Sequence, residues 1–302
     1  MKPEELRHKL QGVIAFPVTP FKPDLSLDIP GLRSNLQEHV KHPLAAIVAA
    51  GGTGELYSLT PAEHLSVVRT IAEEVNGKIP VIGGTGFNYK LGKELAEQVA
   101  AAGADAILVL PPYYLSADEN GLLEYDVAIG KATPLPLFVY SRDWVNPTPA
   151  WVEKLAALVP SLIAWKDGQG DTRSYQQIIH RLGDRLYWIG GAGDDCVPGY
   201  YSIGIRTYTS SIATVAPKLS LQLHEVASSG HSEELLRLMK EYVTPLYAMR
   251  AHRKGYQVSV MKAMMNAIGL AGGPVRPPLP NLSSEDIAEV ERMLESWKPH
   301  LS

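Results

Sequence analysis

The run Leu162-Ile163-Ala164-Trp165-Lys166 is followed at once by Asp167-Gly168-Gln169-Gly170-Asp171, so a short apolar segment ends at a lysine and enters a polar, glycine-containing turn. Such a segment has the length and composition of a buried β-strand. Lys166 at its end has two interpretations. Most such lysines bury their methylenes and keep the ammonium in water, whereas a minority act as amine nucleophiles.

Apolar runs of this kind, bounded by Gly or Pro, recur along the whole chain and give eight candidate strands. They are residues 13–16, 45–49, 80–83, 106–110, 135–140, 162–165, 186–189 and 204–208. Because apolar residues occupy successive positions, we expect both faces of each strand to be buried, as in a parallel sheet.

Segments with helical periodicity lie between these runs, for example residues 61–75, 88–102 and 147–159. The first has Thr60 as its N-cap, with Pro61 and Glu63 in its first turn. Strands that alternate with helices eight times predict an α/β fold of the (β/α)8 type, a TIM barrel. A doubly wound open sheet is the alternative. No Gly-x-Gly-x-x-Gly follows the first strand, so we favour the barrel.

The candidate strands stop at about Pro217, and helical segments such as 232–247 and 283–297 follow, separated by a Gly- and Pro-rich loop over residues 272–278. We therefore predict a barrel over residues 1–217. Residues 218–302 are predicted to form a C-terminal helical extension that packs on the flank of the barrel.

The composition is that of an ordinary globular protein of 302 residues, 45% hydrophobic and 20% charged. The net charge of −4 comes without a strongly basic block, so we expect no nucleic-acid partner. Cys196 is the only cysteine, which excludes an intramolecular disulfide and favours a reducing, cytoplasmic location. The polar amino terminus and the absence of a long apolar run predict neither a signal peptide nor a membrane span.

The residues that follow each strand would meet at the catalytic face of a barrel. The second strand is followed by Gly51-Gly52-Thr53-Gly54-Glu55, whose glycines can let backbone N–H groups converge on an anion. A glycine-rich turn is more often plain turn chemistry, and Glu55 could cap or brace the loop as easily as act on substrate. Tyr140, Ser141 and Arg142 end the fifth strand, where Tyr140 could also be a core residue.

Further polar residues end the other strands. They are Tyr113 and Tyr114 after strand four, Gly191 within the glycine-rich turn after strand seven, and Thr209, Ser210 and Ser211 after strand eight. None of the nine histidines stands at a strand end, so we expect no metal ion.

A lysine among hydroxyls and anion-binding backbone, without a nucleotide motif, suits Schiff-base chemistry on an α-keto acid and needs no cofactor. Burial at the barrel core would lower the pKa of Lys166 and leave the amine neutral, and Tyr140 could then move protons. The imine acidifies the neighbouring carbon. Aldol cleavage, condensation and loss of a β-hydroxyl are all open from that intermediate.

The order and spacing of Gly51-Gly52-Thr53-Gly54-Glu55, Tyr140 and Lys166 resemble the dihydrodipicolinate synthase and N-acetylneuraminate lyase superfamily over nearly the whole chain. This resemblance implies a (β/α)8 barrel with a helical extension and a homotetramer built as a dimer of dimers. It implies Lys166 as the Schiff-base residue, Tyr140 as the proton-transfer phenol, and the Gly52-Thr53 turn as a clamp on the carboxylate of the keto acid.

Within the superfamily, Tyr140-Ser141-Arg142-Asp143 and Lys166-Asp167-Gly168-Gln169-Gly170-Asp171 are most similar to the 5-dehydro-4-deoxyglucarate dehydratase branch. That likeness implies dehydration with decarboxylation to 2,5-dioxopentanoate. The chain departs from the branch pattern at Ser141 and Trp144, where asparagines are usual. Gly52 lacks the hydroxyl of the synthase and lyase branches, which argues against the synthase, whereas Tyr114 keeps the position of their relay tyrosine.

We therefore expect a Schiff-base lyase acting on a small-molecule keto acid, without a nucleic-acid or membrane partner. Thr53 with the N–H groups around Gly54 would hold the carboxylate beside the ketone. Arg142 would hold a distal carboxylate, and one of Thr209, Ser210 or Ser211 would assist departure of the β-hydroxyl. Three alternatives remain open: dihydrodipicolinate synthase, another keto-acid aldolase, and a non-catalytic sugar-acid sensor.

Overall fold

Eight parallel strands close into a barrel in chain order, in a computed structural model that describes residues 1–113 and 116–301. They are β1 (Gly12–Ala15), β2 (Ala46–Ala49), β3 (Val81–Phe87), β4 (Ala106–Pro112), β5 (Leu137–Ser141), β6 (Leu162–Asp167), β7 (Tyr187–Gly190) and β8 (Thr207–Ser210). Pairing of Gly12 with Thr207 joins the first strand to the last. The predicted (β/α)8 barrel is confirmed and the open sheet is wrong.

Side chains of successive strand residues point to opposite sides of the barrel wall and form two apolar cores. The inner core fills the barrel and contains residues from seven strands, among them Ile14, Ala46, Ile82, Leu108, Phe138, Ala164 and Ile189. Leu6 and Leu10, both fully buried, extend this core at the amino-terminal end. The second, larger core lies between the strands and the surrounding helices.

Helix α1 (Pro3–Lys9) precedes β1, and one α-helix lies in each segment between successive strands. These helices are α2 (Ile29–His39), α3 (Pro61–Val75), α4 (Tyr89–Ala101), α5 (Glu119–Lys131), α6 (Pro149–Leu158), α7 (Thr172–Leu182) and α8 (Val197–Ser202). The predicted start of α3 is confirmed, since the Thr60 hydroxyl accepts from the Glu63 N–H while the Glu63 carboxylate accepts from the Thr60 N–H. None of the helices in the described part of the chain is both long and apolar enough to span a membrane.

The helices after β8 are α9 (Pro217–Ser229), α10 (Ser232–Leu238), α11 (Thr244–Ala251), α12 (Tyr256–Ala267) and α13 (Ser284–Trp297), with a π-helical turn at Met239–Val243 between α10 and α11. Helix α9 packs on β1 and α8, the position of the eighth helix of a barrel. The predicted boundary between residues 217 and 218 falls at the start of α9, and the division into two parts remains a prediction.

Candidate active site

Lys166 projects into the barrel from β6 and is only 4% exposed. Its Nζ donates to the Gly191 carbonyl at 2.8 Å and lies 3.3 Å from the centre of the Tyr140 ring. Burial, assisted by the positive charge of Arg142, holds the pKa of the amine well below its ordinary value, while Asp167 opposes this shift. The snorkelling interpretation does not fit this geometry, because the amine lies inside the barrel and not in water.

Tyr140 is paired with Lys166 in the register of β5 and β6, so the phenol and the amine are neighbours across two strands. The Arg142 Nη1 donates to the Tyr140 hydroxyl oxygen at 3.1 Å, and its Nε lies 3.5 Å from the Asp143 carboxylate. Burial raises the pKa of Tyr140, and the Arg142 guanidinium opposes that rise. The Tyr140 ring therefore lies directly beside the amine, and its hydroxyl is held by Arg142.

Ser141 lies on the opposite side of β5 from Tyr140. It is buried, and its hydroxyl donates to the Lys166 carbonyl at 3.4 Å. The Trp144 indole N–H donates to the Pro112 carbonyl at 3.2 Å. The hydrogen bonds of both side chains therefore join neighbouring strand ends, which gives these departures from the dehydratase pattern a structural role.

The glycine loop after β2, residues 51–55, presents free backbone donors. The N–H groups of Gly52, Thr53 and Gly54 have no acceptor among the described residues. The loop lies close against β3, where a Cβ at Gly84 would stand 2.2 Å from the Ala50 carbonyl oxygen. Three unpaired N–H groups beside the Thr53 hydroxyl form an arrangement suited to a carboxylate.

One aromatic ring separates this loop from the lysine. Phe16 packs against Gly51, and its ring centre lies 5.3 Å from the Lys166 Nζ. Gly52 stands where the synthase and lyase branches have a hydroxyl-bearing side chain. A Cβ at Gly52 would meet no atom within 4 Å, so this position faces open space.

Glu55 braces the loop, which is one of the two roles predicted for it. The side chain is fully buried with a left-handed backbone conformation, and Oε1 lies 2.5 Å from the Nζ of Lys262 on α12. Its Oε2 accepts from the Arg276 N–H at 3.2 Å. Helix α12 and the segment that follows it therefore hold one end of the glycine loop.

The three predicted residues at the end of β8 separate into two groups. Ser210 points away from the barrel axis, since its hydroxyl donates to Asp194 and lies 2.8 Å from the Ser220 hydroxyl on α9. The Ser211 hydroxyl donates to Asp194 at 3.3 Å and accepts from Arg250 at 2.6 Å. Thr209 lies on the face opposite to Ser210, the inner face, because strand residues alternate.

Gly191 stands where only glycine fits. A Cβ there would lie 2.4 Å from the Lys166 Cγ and 2.8 Å from its Nζ. The structure therefore brings together Lys166, Tyr140, Arg142 and Gly191 around one amine. Tyr114, the predicted relay residue, lies outside the described residues.

Two side chains beside the lysine were not among the predicted site residues. Asp167 follows Lys166 directly, and its Oδ2 accepts from the Tyr200 hydroxyl at 2.7 Å. The same Tyr200 oxygen accepts from the Ala192 N–H at 3.1 Å. Sequence adjacency to Lys166 could have indicated Asp167, whereas no local signal marks Tyr200, which comes from α8.

The chain is similar to known proteins over nearly all its length. The model of the dihydrodipicolinate synthetase family matches residues 9–297. A relative from Bradyrhizobium diazoefficiens, named probable 5-dehydro-4-deoxyglucarate dehydratase, is 36% identical over 298 residues, which cover 98% of this chain and 95% of the relative. A relative with the same name from Ralstonia nicotianae is 38% identical over 295 residues, which cover 97% of this chain and 95% of the relative.

Solved structures agree with the fold. Dihydrodipicolinate synthase from Oceanobacillus iheyensis matches with a TM-score of 0.92 and 27% identity, covering 99% of this chain and 100% of that one. The sialic acid aldolase of Ruminococcus gnavus matches with a TM-score of 0.89 and 24% identity over 97% and 100%, which supports the fold alone. The predicted resemblance is confirmed: the chain is a lyase-class enzyme that belongs to the dihydrodipicolinate synthetase family.

Proposed function

We propose that the protein forms a Schiff base through Lys166 and dehydrates and decarboxylates 5-dehydro-4-deoxyglucarate to 2,5-dioxopentanoate. The observation that carries this proposal is the buried Lys166 amine, with its lowered pKa, lying against Tyr140. Schiff-base chemistry requires a neutral amine and a nearby proton carrier. The names of the two relatives supply the substrate.

The first stage joins the amine to the ketone. Lys166 Nζ attacks the carbonyl carbon, one molecule of water leaves, and a protonated imine remains, with Tyr140 carrying the protons between nitrogen and oxygen. The free N–H groups of Gly52, Thr53 and Gly54 hold the carboxylate beside the ketone.

The second stage uses the imine as an electron sink. Loss of a proton from the adjacent carbon gives an enamine, whose electrons expel the β-hydroxyl as water. The conjugated imine then takes up the electron pair that is released when the distal carboxylate leaves as carbon dioxide. Hydrolysis consumes one water and frees Lys166, and an enol becomes the aldehyde, so the substrate loses one water and one carbon dioxide in all.

Two further side chains have proposed roles at the far end of the substrate. Arg142 keeps guanidinium N–H groups beyond its contact with Tyr140, and its side chain is 44% exposed, so it can bind the distal carboxylate in two-point fashion. Thr209, on the inner face of β8, is our candidate for the hydroxyl that assists departure of the β-hydroxyl. The hydrogen bonds of Ser210 to Asp194 and Ser220 make that residue less suitable.

Reductive trapping tests the Schiff base. Borohydride added with pyruvate, the simplest α-keto acid, should leave a mass adduct on Lys166 in the wild-type protein and none in Lys166→Ala. An adduct on another lysine, or no adduct in the wild type, would overturn the proposal.

A product assay tests the reaction. Incubation with 5-dehydro-4-deoxyglucarate should release carbon dioxide and an aldehyde together. Condensation of pyruvate with aspartate semialdehyde, without turnover of the sugar acid, would instead identify a synthase. Thermal stabilisation by the sugar acid without any product would indicate a sensor.

We also propose a cytoplasmic homotetramer, a dimer of dimers. The single cysteine supports a reducing compartment. Tyr89 and Tyr113, 54% and 76% exposed at the ends of β3 and β4, are apolar surface that a second copy could cover. Light scattering should give four times the 32.9 kDa mass of the chain, and a monomer would contradict the assembly.

A further inference from the structure

A single peptide unit connects the Lys166 amine to the helix layer. The peptide between Gly191 and Ala192 accepts a hydrogen bond from the Lys166 Nζ through its carbonyl, at 2.8 Å. Its N–H donates to the Tyr200 hydroxyl oxygen at 3.1 Å. The carbonyl that holds the amine is therefore oriented by Tyr200, which stands on the other side of the same peptide.

Tyr200 is itself fixed by Asp167. Its hydroxyl donates to Asp167 Oδ2 at 2.7 Å, while the N–H groups of Gln169 and Gly170 donate to the same carboxylate at 3.2 and 3.0 Å. Burial raises the pKa of this carboxyl, and the hydrogen bonds from Tyr200, Gly170 and Gln169 oppose that rise, because they favour the ionised form. A directed chain of hydrogen bonds thus runs from the Lys166 amine through the peptide and Tyr200 to the buried side chain of Asp167.

We propose that Tyr200 is a positioning residue for Schiff-base formation, which holds the Gly191 carbonyl toward Lys166 and links it to the carboxyl group of Asp167. Each donor in such a chain polarises the next acceptor. The Gly191 oxygen consequently becomes a stronger acceptor, and it gains most from the chain when the lysine nitrogen carries the positive charge of the protonated imine. The inference rests on the proposed function only in taking Lys166 as the nucleophile.

Packing alone does not require the hydroxyl of Tyr200. The Tyr200 ring is fully buried, and its centre lies 6.3 Å from that of the Tyr175 ring. The ring also packs against Gly190, because a Cβ at that glycine would lie 2.3 Å from the ring. A phenylalanine keeps all of these contacts. Tyr200→Phe therefore removes the hydrogen-bond chain and leaves the packing intact.

Tyr208 offers a matched control. It is also fully buried, and its hydroxyl donates to the Ser220 carbonyl at 2.8 Å, without a peptide link to Lys166. Tyr208→Phe and Tyr200→Phe both lose one buried hydroxyl and should both lower stability in urea, Tyr200→Phe by more, because its hydroxyl also bonds a carboxylate and the Ala192 N–H.

The measurement is the rate of imine formation with pyruvate, from borohydride quenches at increasing times and the mass of the protein. In Tyr200→Phe the rate at saturating pyruvate should fall about tenfold or more, with the half-saturating concentration changed by less than about twofold, because the carboxylate clamp is untouched. In Tyr208→Phe both constants should stay within about twofold of wild type.

Equal rates in the two variants would overturn the proposal, as would an effect of Tyr200→Phe on half-saturation alone. Absence of an adduct in the wild type would instead defeat the Schiff-base function itself. If Tyr200→Phe does not fold, Asp167→Asn replaces it, measured at a pH where the wild-type rate is constant. The loss of the carboxyl group at the end of the chain should then slow the saturated rate, and an unchanged rate would reject the proposal.

Discussion

At the residue scale, the charge of Arg142 acts on both groups that exchange protons in the proposed mechanism. It helps to lower the pKa of Lys166 and opposes the rise in the pKa of Tyr140. A like charge favours the neutral amine, and an opposite charge favours the phenolate. We therefore expect the side chain that we assign to the distal carboxylate also to influence the pH dependence of imine formation.

Arg142→Gln should move the acidic limb of imine formation to higher pH. Without the guanidinium the pKa of Lys166 rises, so a larger share of the amine is protonated and inactive at a given acidic pH. The pH dependence of borohydride trapping with pyruvate measures this, because pyruvate has no distal carboxylate to lose. Arg253→Gln, at an exposed site, is the control for loss of charge, and a limb that stays or moves to lower pH contradicts the prediction.

The residues of the site were predictable to the extent that they end strands. Lys166, Tyr140 and Arg142 follow apolar runs and lie together in the structure. Ser210 also ends a strand, but the alternation of side chains turns it outward toward Ser220. Tyr200 could not be predicted, because its contact with Asp167 depends on how α8 packs beneath β7.

At the scale of elements, α5 contains a buried acid. Asp126 is 2% exposed, and its Oδ2 has no hydrogen-bond partner among the described residues. Burial raises the pKa of this carboxyl to about 8. The folded protein therefore holds a proton on Asp126 that the unfolded chain releases above about pH 4.

The wild-type protein should lose stability as the pH rises, because Asp126 is buried, and Asp126→Asn should remove this loss. Because the pKa is raised on folding, the free energy of unfolding of the wild type falls from about pH 4 to about pH 8. Asp126→Asn should gain on the wild type by about 3 kcal/mol between pH 5 and 7.5, at roughly 1.4 kcal/mol per pH unit. Urea titrations at the two pH values measure it. Asp184→Asn, an exposed site, is the control, and a constant difference for Asp126→Asn would disprove the assignment.

The strands and helices were predictable from the sequence where their residues are buried along the whole element, and one was missed where only a single residue is buried. The eight strands were recognisable because both of their faces are covered. Helix α1 was missed, since Pro3–Lys9 is a short, mostly charged segment in which only Leu6 is buried. Leu6 and Leu10 pack at the base of the inner core, and this contact forms only when the barrel is closed.

At the scale of the whole molecule, the segment after α12 is tied to the loops that follow β1 and β2. Arg276 pairs with Glu63 at 2.6 Å, donates to the Leu25 and Ser58 carbonyls, and lies 4.2 Å from the centre of the Phe21 ring. Glu63 consequently has its pKa lowered to about 2. Such contacts join residues more than 200 positions apart, and no local sequence pattern contains them.

The buried pair of Glu55 and Lys262 is the innermost of these links. Both side chains are at most 1% exposed, and burial lowers the pKa of Lys262 to about 8 although Glu55 opposes the shift. Lys262 has a second acceptor in the Pro274 carbonyl at 2.8 Å. Removal of Lys262 alone leaves the Glu55 carboxylate in the interior, with the backbone N–H of Arg276 as its remaining donor.

Lys262→Met should therefore destabilise the protein by about 3–5 kcal/mol, the range for an uncompensated buried charge. The double variant Glu55→Gln with Lys262→Met should recover much of that loss, because no charge is then left unpaired. Urea unfolding measures both, with Lys41→Met at an exposed ion pair as a control that should stay near wild type. The pyruvate concentration that half-saturates imine formation should rise in the single variant, because Glu55 lies at the end of the glycine loop whose N–H groups we assign to the carboxylate. Equal stability of the single and double variants would mean that the two side chains do not form a compensating pair, and an unchanged half-saturating concentration would mean that the pair does not act on the glycine loop.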